Sequence, residues 1–116
     1  MRFDIVELVT ASGASGSKIF DASFMFAISA VATSTGTEAG TLKFQASNDK
    51  RTGMQDTGAD ITNWVDIAGA TVAITSGGGP YIIPKFDVSY SWIRMVYTHG
   101  SGAGIVTARM KSIGGS

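Results

Sequence analysis

Turn-forming residues interrupt this chain about every ten residues, the rhythm of short strands joined by turns. Fifteen glycines and two prolines do most of the interrupting. Good helix formers are scarce, with only two glutamates, two leucines and five lysines in 116 residues. No window of twelve residues carries a 3.6-residue apolar period. The chain is therefore expected to fold from strands alone, without the helical crossovers that parallel sheets require.

Period-two patterning predicts where those strands lie. Residues 3–10 are β-branched and apolar. Asp21 to Thr33 places Phe24, Phe26, Ile28 and Ala30 on one face and Met25, Ala27, Ser29 and Val31 on the other. With both faces nearly apolar, that strand should be central or covered. Residues 41–47 alternate most clearly, with Leu42, Phe44 and Ala46 inward and Thr41, Lys43, Gln45 and Ser47 outward. Short strands are predicted around 64–67 and at 71–75. Another spans 81–88, where Pro84 lacks a ladder donor and demands an edge or a bulge. Residues 92–98 and 105–111 complete about eight strands. In the first of these, Ile93, Met95 and Tyr97 share a face; in the second, Val106, Ala108 and Met110 do. Two antiparallel sheets packed face to face, of jelly-roll or Greek-key type, satisfy this pattern. A chain of 116 residues supports one such core, so residues 1–116 are read as a single β-sandwich domain.

Charge narrows the partners. Nine basic and nine acidic residues cancel, and only 16% of residues are charged, against about 25% in average domains. Such a chain lacks the basic face that nucleic acid selects. Low net charge also leaves copies of the chain little reason to repel one another. No apolar run approaches the ~18 residues of a membrane-spanning helix, and the N-terminus, with two acids in its first seven residues, does not resemble a signal peptide. The expectation is a protein made in the cytoplasm that meets other proteins, with no membrane or nucleic-acid partner.

Chemistry-bearing residues are few. Without cysteine, thiolate metal sites and cysteine nucleophiles are excluded. His99, the single histidine, precedes a Gly-Ser-Gly-Ala-Gly turn and offers at most one general base. Asp49, Asp56 and Asp60 share a polar loop, with Asp66 on the strand that follows. Calcium takes six to eight oxygens, so this loop is the one place to seek a Ca²⁺ site. Its spacing does not match an EF-hand, and Lys50 and Arg51 lie in the same loop. Turn-forming Asp and Asn satisfying local backbone groups explain the cluster as well. The runs Gly77–Gly79 and Gly100–Gly104 feed no helix and are turns, not phosphate loops. No catalytic residue, cofactor or metal is assigned. Trp64, flanked by strand-forming neighbours, is expected in the core. Trp92, out of phase with Ile93 and Met95, is expected at an interface together with Met25 and Val31.

One stretch resembles a known group. Thr35-Gly-Thr-Glu-Ala-Gly-Thr-Leu-Lys-Phe-Gln-Ala-Ser-Asn-Asp49, followed by Thr62-Asn-Trp-Val-Asp-Ile67, a glycine-rich turn and the aromatic strand Tyr90–Thr98, is similar to a pattern in small bacteriophage structural proteins. The likeness covers residues 35–112, and the loop between Asp49 and Thr62 is longer than the pattern needs. The resemblance implies a β-sandwich component of the virion, capsid-associated (decoration or minor capsid) or tail-associated, and transfers no functional residue. The expectation is a non-enzymatic structural protein of a phage particle, homo-oligomeric or held in a shell lattice with other virion proteins. The alternative is a carbohydrate- or receptor-binding module of a tail or spike.

Overall fold

The computed structural model describes residues 2–23, 25–48, 61–75 and 79–114. Among them, eight strands run in chain order as β1 (Arg2–Val9), β2 (Gly16–Asp21), β3 (Met25–Ser34), β4 (Ala39–Ser47), β5 (Val65–Ile74), β6 (Tyr81–Asp87), β7 (Trp92–Ser101) and β8 (Val106–Gly114). They build two four-stranded antiparallel sheets, β1-β8-β3-β6 and β2-β7-β4-β5. The all-β, two-sheet architecture is the one that the patterning requires.

Strand order has a simple logic. β1 pairs with β8, β2 with β7, β3 with β6 and β4 with β5. The chain thus behaves as one long hairpin, β1 to β4 outbound and β5 to β8 returning. Alternate rungs of that hairpin fall in opposite sheets, and β3 with β8 and β4 with β7 then close each sheet. This nested pairing is the jelly-roll connectivity.

The core lies between the sheets. Ile28, Ala30 and Ala32 of β3, Leu42, Phe44 and Ala46 of β4, Ile93, Met95 and Tyr97 of β7, and Val106, Ala108 and Met110 of β8 are all buried in it. Each large apolar side chain here contributes about 1.5–3 kcal/mol by leaving water. Phe44 and Phe86 bridge the two sheets with ring centroids 5.3 Å apart at 58°, a tilted geometry that suits the ring quadrupoles.

Several expectations need correction. β2 was missed by patterning, because Gly16-Ser-Lys-Ile-Phe-Asp21 does not alternate. The two short strands predicted near 64–67 and 71–75 are one strand. From Lys43↔Thr71 to Gln45↔Asp66, two steps on β4 correspond to five on β5, and the excess includes Gly69 at φ +79°. That excursion reads as a turn in sequence. In β3 a register shift between Met25 and Ala27 reverses the alternation, so Phe26 is 63% exposed while Ile28 is buried. Phe24, predicted on the same face, lies outside the described residues. Ser47, predicted outward, is buried. Pro84 sits where its chemistry demands. β6 is an edge strand, and two steps on β3 from Ile28 to Ala30 match three on β6, a one-residue bulge beside the proline.

Candidate functional site

Three regions of the surface hold groups that can recognise something: one end of the sandwich and the outer face of each sheet.

At the end, three loops are laced together. Thr10 and Gly13 donate their backbone N–H groups to Val106 and Gly104. Thr35 and Thr37 donate theirs to Ile105 and Ala103, whose N–H groups return bonds to Thr35 Oγ1 and Thr37 Oγ1. The approach is close enough to require glycine. A Cβ on Gly102, at φ +78°, would stand 2.0 Å from the Thr37 carbonyl oxygen.

Behind these loops Glu38 is 1% exposed. Its Oε2 accepts hydrogen bonds from the Tyr97 hydroxyl and from Nδ1 of His99, the latter at 2.7 Å. The Tyr97 bond holds the Glu38 carboxyl below its ordinary range against the opposing effect of burial, with His99 adding to the lowering. Burial and the Glu38 carboxylate push the Tyr97 hydroxyl up. Both groups are thereby fixed as an ionised acceptor and a protonated donor. Ser15 Oγ lies near His99 but accepts from its backbone N–H, at 2.8 Å, not from the imidazole. The geometry is therefore that of a structural lock and not of a base activating a serine. Glu38 was not singled out from sequence. A lone glutamate in the turn before β4 carries no signal that it will be buried.

On the outer face of β2-β7-β4-β5 the side chains satisfy one another. Gln45 Nε2 donates to Asp66 Oδ1 at 2.7 Å, Lys43 Nζ pairs with the same carboxylate at 3.1 Å, and Arg94 Nε donates to Gln45 Oε1 at 2.7 Å. The Gln45 bond, then Lys43, hold the Asp66 carboxyl below its ordinary range. Partial burial lowers the Arg94 guanidinium. Its Cζ stands 4.6 Å from the centre of the Trp64 ring, within cation–π range, and Trp64 Nε1 donates to the Ile61 carbonyl. Trp64 is thus half-buried on an outer face, not in the core as predicted. A cleft of about 290 Å³ opens beside it, lined by Ser47, Asn48, Asn63, Asp66 and Tyr90.

The outer face of β1-β8-β3-β6 differs. Ile5, Val9, Val31 and Ile82 are exposed on it. Cross-strand register aligns Glu7, Arg109, Val31 and Ile82 in one row, and Arg109 Nε binds Glu7 Oε2 at 2.5 Å.

Of the predicted interface residues, Val31 is 48% exposed on this face. Met25 is half-buried against the core instead. Trp92 is 2% exposed, which corrects its placement as an exposed aromatic. It stands on the Arg94 side of β7 but at the strand's first residue, and parity alone does not say whether a strand end is covered. Asp49, Asp56 and Asp60 lie outside the described residues. Among the described residues, no group of three or more acidic or histidine side chains could hold a metal ion, and no helix is long and apolar enough to cross a membrane. No protein-family model matches the chain, and no significant match is found among curated proteins or solved structures.

Proposed function

We propose that this protein is a non-enzymatic structural component of a bacteriophage virion, a capsid-associated jelly roll that acts through contacts with its own copies and other virion proteins. The observation that carries this reading is the outer face of β1-β8-β3-β6, where four large aliphatic side chains stand in water. Exposed apolar area of this kind marks protein contacts more often than chemistry. Zero formal net charge supports it, since nothing long-range opposes association of identical copies. So does the resemblance of residues 35–112 to small phage structural proteins.

Light scattering on the size-fractionated chain, with and without calcium, tests the proposal. A stable multiple of the 12.0 kDa chain mass, indifferent to calcium, supports it. A monomer at all concentrations that binds an immobilised glycan array refutes it.

A second reading, a glycan-binding module, is favoured by one observation. Tyr90 and Asp66 line the cleft on the opposite sheet, an aromatic and a carboxylate of the sort that stack on and hydrogen-bond to sugars. Under it, Tyr90→Ala abolishes array binding and leaves the mass unchanged.

A further inference from the structure

The two sheets present four edge strands, β1 and β6 on one and β2 and β5 on the other. Edges invite pairing with another chain unless something blocks them. β6 is blocked by Pro84 and its bulge. β5 is broken by the excursion around Gly69. β2 has only six residues and carries an exposed lysine, Lys18. β1 carries the charges Arg2, Asp4 and Glu7 but has no proline, bulge or break. It runs eight residues in unbroken register with β8, from Arg2↔Gly114 to Val9↔Thr107. Its outer side shows Ile5, 71% exposed, and Val9. The one charge between them, Glu7, is held by Arg109 across the ladder, so it does little to repel a second strand.

We propose that β1 pairs antiparallel with β1 of a second copy about a two-fold axis, joining two β1-β8-β3-β6 sheets into one eight-stranded sheet. A second copy is the fitting occupant because an antiparallel strand is complementary to itself. Each outward N–H and C=O finds its counterpart on the identical edge, and the contact closes on itself. With the other three edges blocked, growth stops at two. The pairing also places two copies of the apolar face side by side, doubling the surface offered to a shell. This inference rests on the assembly reading above and names its first step.

The full chain tests it. The wild type should run at twice 12.0 kDa. Ile5→Lys should run at the monomer mass with an unchanged circular dichroism spectrum, because a lysine at an exposed edge position blocks pairing without touching the core. Val31→Lys, on β3 in the sheet interior, should stay dimeric. The cysteine-free chain allows a second measurement. At least one of Ile5→Cys, Glu7→Cys and Val9→Cys, alone or mixed with one of the others, should form an intermolecular disulfide under mild oxidation, while Val31→Cys should form none, since a bridge needs Cα atoms within about 7 Å. A multimer dissolved by Val31→Lys but not by Ile5→Lys overturns the edge pairing and leaves the assembly reading standing. A wild type that is monomeric throughout overturns the edge pairing, and glycan-array binding by that monomer overturns the assembly reading as well.

Discussion

The outer faces of the two sheets start from the same alternation and end differently. On β2-β7-β4-β5, the outward residues Lys43, Gln45, Asp66 and Arg94 bind one another, and Trp64 lies under the guanidinium. On β1-β8-β3-β6, the outward residues include Ile5, Val9, Val31 and Ile82, with the Glu7–Arg109 pair between them. The first face completes its interactions within the chain. The second leaves apolar area in water that only another surface can cover. Two four-stranded antiparallel sheets thus support one face whose polar groups bind one another and one that leaves apolar side chains exposed.

Both faces rest on one core, so the largest expected effect should not distinguish them. Phe44→Ala should cost about 3–5 kcal/mol and lower the denaturation midpoint cooperatively, as read by tryptophan fluorescence in urea. Separate transitions for the two sheets would break the comparison at its base. Trp64→Ala should cost at least the ~0.5–1 kcal/mol of its cation–π contact, and should leave the solution mass unaltered. A mass change would make the polar face an interface as well.

Acid sharpens the contrast further. The Asp66 and Glu38 carboxyls are depressed below their ordinary values of 3.8 and 4.5. Their contribution is therefore fully present above those values and is lost as pH falls through the lower folded ones. Thermal melts should show stability falling on acidification through this range, with Asp66→Asn flattening part of the fall. A profile unchanged by Asp66→Asn would show that the polar network adds nothing to the fold. The smallest expected effect is that of Val31→Lys, within about 0.5 kcal/mol of wild type by the same melts. A larger loss would mean that the apolar face already supports the monomer.

Legibility from sequence followed the range of the interaction concerned. In β4, β7 and β8 the buried sets Leu42-Phe44-Ala46, Ile93-Met95-Tyr97 and Val106-Ala108-Met110 are those that alternation predicts. Pro84 announced an edge or bulge and found both. The errors have equally local causes. Gly69 made one strand look like two, and the shift at Met25/Ala27 turned Phe26 to the outside. The Glu38–Tyr97–His99 cluster joins residues 59 and 61 positions apart, and no spacing rule reaches that far.

The amino-acid sequence by itself determined that the chain is all-β, which residues on most strands share a side, and where most of the turns fall. Those properties follow from steric and polar preferences acting over a few neighbours. Only the tertiary structure decided the nested jelly-roll pairing, the exchange of Trp64 to the surface and Trp92 to the interior, the burial of Glu38 and the place of β1 at a sheet edge. Each of these depends on which distant strand lies alongside. Alternation assigns a residue to one side of its strand, but whether that side meets protein or water is settled by the rest of the chain.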